Sequence, residues 1–203
     1  MTSAAAASAP APAEPFLVLS GIRKAYPGVL ALQGFSMSVA PGEVIGLVGE
    51  NGAGKSTLMK ILGGVIAPDA GTITIDGVEE SALSVAASMR AGIAFVHQEL
   101  NLFDNLDVAA NVYIGREPRT GGLLNIVDTA KQRQMVAPFL KRLGASFGPA
   151  TPVSRLSLAQ QQMVEIAKAL SMHARLVILD EPTSGLPLSE TAKLLDVIAA
   201  LKR

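Results

Sequence analysis

The stretch Gly49-Glu50-Asn51-Gly52-Ala53-Gly54-Lys55-Ser56-Thr57 fits the pattern G-x-x-x-x-G-K-[ST] in full. The apolar run Val44-Ile45-Gly46-Leu47-Val48 precedes it and predicts a buried parallel strand. Thr57 to Leu62 follows and predicts the first turns of a helix. Strand, glycine-rich loop and helix in that order leave few folds open, all of them layered α/β sheets. Glycines at 49, 52 and 54 lack Cβ, so the backbone can wrap closely around a phosphate chain and reach unusual φ. The loop N–H groups and the helix N-terminus present partial positive charge to phosphates. Lys55 would reach the β- and γ-phosphates of a nucleotide, and Ser56 would offer a hydroxyl to Mg²⁺.

Upstream, residues 1–15 are dominated by Ala, Pro and Ser, with neither a basic start nor a continuous apolar stretch. They predict a disordered tail rather than a secretory signal. Phe16–Ser20 and Gly34–Val39 predict strands, with a turn at Tyr26-Pro27-Gly28 that exposes an aromatic ring. Thr72–Asp76 alternates and stops at Gly77, as a half-buried strand should, and Gly92–Val96 predicts another strand. From Leu100 to Met172 helical spacing replaces strand patterns: Val108–Ile114, Val127–Leu143 and Ser157–Ser171. A strand returns at Arg175–Asp180, and an amphipathic helix covers about Ser189 to Leu201. The expected organisation is a core of residues 16–98 and 173–203 with a helical subdomain at 99–172.

Two carboxylates stand out after the fully apolar Leu176-Val177-Ile178-Leu179. In open α/β sheets ligands lie beyond the carboxyl ends of the strands. Asp180 is therefore expected beside the phosphate loop, holding Mg²⁺ through water, and Glu181 can polarise the water that attacks a γ-phosphate. Ser157 and Gln160 form an S-x-x-Q capping box, which is explained equally by a plain core helix and by a helix start facing a phosphate supplied from elsewhere. Gln98 ends a strand; it could sense Mg²⁺ or the attacking water, or be an ordinary loop residue. His97 and His173 have no metal-ligand spacing to a second His or Cys and are expected to be structural.

The 203 residues carry a formal net charge of +0, which gives no general pull toward nucleic acid. Zero cysteines exclude a disulfide framework. No apolar run reaches the length of a membrane span, so contact with a membrane would come through a partner.

Taken together, these stretches resemble an ABC-transporter ATPase, a P-loop NTPase. The closest likeness is to the first nucleotide-binding domain of a bacterial carbohydrate importer of the ribose, galactose or xylose type. The resemblance runs from about Phe16 to the C-terminus. It is carried by Tyr26-Pro27-Gly28-Val29, Gly49–Thr57, His97-Gln98-Glu99-Leu100-Asn101-Leu102, Leu156-Ser157 through Lys168, and Leu179-Asp180-Glu181-Pro182-Thr183-Ser184.

The resemblance implies an α/β core with a mixed parallel sheet, an antiparallel β subdomain and an inserted helical subdomain. It implies ATP and Mg²⁺. Tyr26 would stack on adenine; Gly49, Glu50, Asn51, Gly52, Ala53, Gly54, Lys55, Ser56 and Thr57 would hold the phosphates; Ser56, Gln98 and Asp180 would serve Mg²⁺. Glu181, Gln98 and Lys55 would act in hydrolysis, and Ser157 would touch the γ-phosphate held by an opposing domain.

The implied partners are a second nucleotide-binding domain arranged head to tail, membrane-spanning permease subunits and, indirectly, a periplasmic sugar-binding protein, with no nucleic acid. The implied place is the cytoplasmic face of the inner membrane, as a peripheral subunit. A soluble ABC ATPase acting on ribosomes or DNA, and a non-hydrolysing nucleotide-binding fragment, are the rival functions.

Three departures from the family pattern matter. Leu158 and Ala159 stand where two glycines are usual; Ser184-Gly185-Leu186 leads to Pro187 in place of the usual Asp or Thr; and the chain stops at Arg203, before the family's next strand and switch histidine. The expectation is a C-terminally truncated domain that binds nucleotide and hydrolyses it poorly.

Overall fold

The structure, a computed structural model, describes residues 14–50, 52–97, 100–122, 125–184 and 186–201. Its first unit is an antiparallel sheet. Strands β1 (Leu17–Tyr26) and β2 (Val29–Val39) pair from Leu17↔Val39 to Tyr26↔Val29. The turn between them is Pro27-Gly28, with Gly28 at φ +77°. Strand β3 (Ala70–Ile75) lies on the other edge of β1, and β4 (Val78–Glu80) follows it, giving the order β2-β1-β3-β4. The β3–β4 loop is Asp76-Gly77 with φ +52° and +75°. A two-residue hairpin of type I′ needs positive φ at both positions, and Asp-Gly provides it. The buried side chains Leu17, Leu19, Ile22 and Ile73 turn one face of the sheet inward.

A second sheet pairs β5 (Ile93–Val96) with β8 (Leu176–Leu179) in parallel, in register Ile93↔Leu176 to Val96↔Leu179. Successive side chains of a strand point to opposite faces. Here Ile93, Phe95, Leu176 and Ile178 join Leu58, Ile61 and Leu62 of helix α1 (Lys55–Leu62), together with the inward face of the first sheet. Ala94, Val96, Val177 and Leu179 join the helical cluster on the other side. Apolar surroundings on both faces explain why these strands read as unbroken apolar runs.

A side-chain clamp also links the two sheets. The guanidinium of Arg175, just before β8, donates to both carboxylate oxygens of Asp76, with Nη2 at 2.8 Å from Oδ1, and lies 4.5 Å over the ring of Phe16. Short helix α2 (Val85–Arg90) starts on a Ser84 cap, and Ser88 Oγ donates to Leu62 O at 2.7 Å, tying it to α1.

The helical side is built from α3 (Val108–Tyr113), α4 (Thr129–Arg142), α5 (Leu158–Ser171) and α6 (Leu188–Leu201). Asp107 and Asp128 cap α3 and α4 through Ala110 N–H and Lys131 N–H, which fixes their starts. Val108, Val112, Val136, Leu140, Val164 and Ile166 are buried between them, and Leu194 of α6 closes the cluster. Pro138 lies on the exposed side of α4. The expectation of helices alone in this stretch misses a small hairpin, β6 (Arg119–Thr120) with β7 (Ile126–Val127). Among the described residues no helix is long and apolar enough to cross a membrane.

One expectation is overturned. Val44–Val48 is not a buried parallel strand: it forms no ladder with any strand, and Val44, Ile45, Leu47 and Val48 are exposed, Val48 at 96%. Apolar spacing tells what a segment would bury, but a strand exists only where a neighbouring backbone offers its N–H and C=O row. On one side of the run, Glu43 N–H donates to Ala40 O and Ala40 N–H donates to the Glu43 carboxylate at 2.8 Å. On the other, Lys55 holds the carbonyls of Gly49 and Glu50. Between these fixed points the run crosses the surface unpaired.

Candidate nucleotide-binding site

Helix α1 opens directly out of the glycine-rich loop. Its N-cap is Gly54 at φ +87°, ψ 0°, and no side chain caps it. The first-turn N–H groups are therefore left for an outside acceptor. Gly54 is required by space as well as by φ: a Cβ there would stand 2.3 Å from Ala31 O and 2.8 Å from Leu32 Cδ2 of β2. Gly52 also has φ +87°, and Ala53 N–H donates to Glu50 O at 3.1 Å, rounding the loop. Ser56 is exposed on the first turn, and Thr57 is half-buried beside it. A groove of about 470 Å³ runs between β2 and the loop, lined by Leu30, Leu32, Gln33, Phe35, Gly52 and Ala53.

Lys55 folds back over the loop. Its ammonium donates to Gly49 O and, at 3.0 Å, to Glu50 O. Carbonyl oxygens are weaker acceptors for a cation than a phosphate. The donor set of this loop, helix N–H groups without a side-chain cap and one ammonium, suits an anion. Tyr26 projects at the end of β1 with 41% of its surface exposed and Lys24 Nζ 6.0 Å from its ring centre.

The carboxylates stand at the carboxyl end of the parallel pair. Asp180 is half-buried, and its N–H donates to Val96 O at 3.0 Å, continuing the β5–β8 ladder by one residue. Glu181 is exposed with φ +44°, and its carbonyl accepts Ser184 N–H at 3.0 Å. A non-glycine residue in the left-handed region is uncommon and marks a backbone held by its surroundings; nothing in the sequence announces it. Among the described residues, no three His, Asp or Glu side chains gather as a metal cage. A magnesium ion held by one or two protein ligands and a substrate's phosphates needs no such cage, and the Ser56 hydroxyl and the Asp180 carboxylate are oxygen donors of the kind it would take. Asn51 and Gln98 lie outside the described residues. His97 stacks on Phe95 at 6.1 Å, and His173 holds a left-handed turn at φ +58°.

The capping box at α5 is present: Ser157 N–H donates to Gln160 Oε1 at 2.9 Å and Ser157 Oγ accepts Gln160 N–H at 3.4 Å. Leu158 is 41% exposed, so the bulk that replaces glycine points outward. Ala159 N–H meets Glu190 Oε2 of α6 at 3.4 Å, placing a carboxylate on the helix start. Sequence spacing gave no sign of Glu190 in this position, 31 residues away.

A phosphate loop opening α1, and a parallel strand ending in adjacent carboxylates, define a phosphate-loop nucleoside-triphosphate-binding protein with a mixed α/β fold. The family profile described as "ABC transporter" matches residues 32–184, and the chain belongs to that family. It is 49% identical over 187 residues to a ribose import ATP-binding protein of Burkholderia thailandensis, covering 92% of this chain and 37% of that protein. It is 47% identical over 201 residues to an arabinose import ATP-binding protein of Azospirillum brasilense, covering 99% and 38%. The chain thus spans well under half the length of these relatives. An ATP-binding cassette solved as a dimer in a post-hydrolysis state with ADP and phosphate superposes with a TM-score of 0.71 at 25% identity, covering 92% of this chain and 83% of that one.

Proposed function

We propose that this chain binds and hydrolyses ATP as part of the ATPase subunit of an ABC importer for a sugar. The observation that carries the reading is the side-chain-uncapped start of α1, with Lys55 resting on loop carbonyls that a phosphate chain would replace as its partners. The names of the relatives, ribose and arabinose import ATP-binding proteins, supply the sugar.

Each residue then has a task. Tyr26 stacks on the adenine. The N–H groups from Gly49 through Thr57 surround the phosphates, and Lys55 leaves Gly49 and Glu50 to neutralise the β- and γ-phosphates. Ser56 and Asp180 hold Mg²⁺, with Gln98 sensing it; the ion, when bound, draws charge from the transferring phosphoryl group. Glu181 orients a water in line with the γ-phosphorus and accepts its proton as the P–O bond to ADP breaks. Ser157 and the start of α5 face the γ-phosphate held by a second nucleotide-binding domain, and Glu190 gives way when that phosphate arrives.

We read residues 16–98 and 173–203 as the core and 99–172 as the helical subdomain. Closure of two such domains favours one state of the membrane-spanning permease subunits, because ATP binds the closed pair more tightly than the open one. A periplasmic sugar-binding protein delivers the substrate on the far side. The chain works as a peripheral subunit on the cytoplasmic face of the inner membrane.

A second reading, a nucleotide-binding chain that does not hydrolyse, is favoured by the unpaired run Val44–Val48. Mg-ATP binding and phosphate release, measured beside a Lys55→Ala variant, decide between them. Turnover that depends on Lys55 supports hydrolysis. Binding that depends on Lys55 without turnover supports the second reading. Absence of binding overturns both.

A further inference from the structure

Glu165 sits halfway along α5 between Val164 and Ile166, both fully buried, and is itself only 8% exposed. A carboxylate so placed is costly unless its oxygens are bonded. Oε1 accepts the backbone N–H of Asn101 at 3.1 Å, and Oε2 stands 3.8 Å from Lys168 Nζ one turn further along the helix. Asn101 belongs to the segment that leaves β5, five residues past its last residue, Val96.

Beyond Asn101 the same segment is fastened repeatedly to the helical side. Asn111 of α3 accepts Phe103 N–H at 2.7 Å and donates to Phe103 O at 3.0 Å. Val153 N–H, from the turn that leads into α5, donates to Leu106 O at 3.0 Å. Before it, Val96 O is fixed by Asp180 N–H. The chain is thus held at Val96 by a ladder bond to the carboxylate end of β8 and at Asn101 by the Glu165 bond to α5.

We propose that Glu165 is a positioning residue for the hydrolytic reaction. Its carboxylate ties the chain leaving β5 to α5, so that a shift at the carboxyl end of the parallel strands moves α5, and a shift of α5 is felt there. This rests on the nucleotide site proposed above. A tether of this kind needs a buried acceptor on the helix; an aliphatic residue at 165 would leave the Asn101 N–H without its partner.

Hydrogen exchange of the full chain tests it, without nucleotide and with Mg²⁺ and a slowly hydrolysed ATP analogue. The parent chain is compared with Glu165→Gln, Glu165→Ala and Asn101→Pro, with analogue affinity and melting temperature measured alongside. In the parent, the analogue slows exchange both in residues 100–106 and in the first half of α5. In Glu165→Ala the response of α5 falls at least about fivefold while analogue affinity stays within about twofold, as expected when one link between cooperative units is cut. Glu165→Gln, which keeps an acceptor oxygen, restores most of the response.

Asn101→Pro deletes the donor and leaves Glu165 in place; it reproduces the loss, and it carries the test should Glu165→Ala fail to fold. An α5 response that survives in Asn101→Pro, or that is absent in the parent although the analogue binds, overturns the tether alone. Equal loss of melting temperature, affinity and response in every variant reduces Glu165 to a structural role. Failure of the parent to bind the analogue overturns the nucleotide site itself.

Discussion

The ammonium of Lys55 rests on the carbonyl oxygen of Glu50, 3.0 Å away and five residues back along the chain. The lysine that a phosphate chain would recruit is thus held by its own loop. Exchanging a carbonyl for a phosphate strengthens each of its bonds. Lys55→Ala should therefore weaken Mg-ATP binding by about 1.5–3 kcal/mol, roughly ten- to hundredfold in Kd. Titration with a fluorescent nucleotide measures this, and an unchanged Kd would place the phosphates elsewhere.

Tyr26 is the next handle. It is 41% exposed, and Lys24 Nζ stands 6.0 Å from its ring centre. Tyr26→Ala should leave stability within about 0.5 kcal/mol, as for other surface changes. If the ring stacks on adenine, affinity for ATP falls by about 1–3 kcal/mol, while inorganic triphosphate, which has no base, binds as before. Loss of affinity for both would place Tyr26 under the loop rather than under the base.

Ser157 serves two readings that stability and binding separate. Loss of its capping box in Ser157→Ala should cost about 1 kcal/mol in denaturant unfolding. If the phosphate that Ser157 faces is held by a second domain, as proposed, nucleotide affinity of the isolated chain should not change. A fall in affinity at dilutions where the chain is monomeric would place Ser157 on its own nucleotide.

The Arg175–Asp76 clamp sets an acid dependence. The hydrogen bonds from Arg175 hold the Asp76 carboxyl below its ordinary value of 3.8, and Lys24 with the Ala25 N–H does the same for Asp69. A carboxyl whose folded pKa is depressed stabilises the fold fully above its unfolded value and stops doing so as pH falls through the folded one. The melting temperature of the parent should exceed that of Asp76→Asn near neutral pH. The difference should close as pH falls below 3.8. A constant difference down to the acid limit would mean that the clamp acts by shape rather than charge.

Val48 tests the one strand that the structure does not contain. With 96% of its surface in water, Val48→Ser should change stability by less than about 0.5 kcal/mol. A valine in a buried strand would lose about 1.5–3 kcal/mol. A large loss in urea unfolding would show that the run pairs after all.

What could be read in advance was local. The phosphate loop lies within nine consecutive residues, the end of β3 is announced by Gly77, and the start of α5 by Ser157 and Gln160. In each, the residues that fix the backbone are neighbours in the chain. The unread part is long-range. Glu165 and Asn101 are 64 residues apart and Arg175 and Asp76 are 99 apart, so no spacing rule joins them. Val44–Val48 went wrong for the same reason: its composition is that of a strand, but a ladder depends on what lies alongside. Asn51 and Gln98 lie outside the described residues.

The β5–β8 pair has a consequence for how such a protein can vary. Ile93, Phe95, Leu176 and Ile178 look toward α1, while Ala94, Val96, Val177 and Leu179 look toward the four longer-range helices. The pair is a party wall between two interiors, and alternate positions belong to different rooms. A change of volume at Phe95 must be answered on the phosphate-loop side, and one at Val96 on the other. Side-chain volume in the helical interior can therefore be repacked without repacking the side chains that face α1.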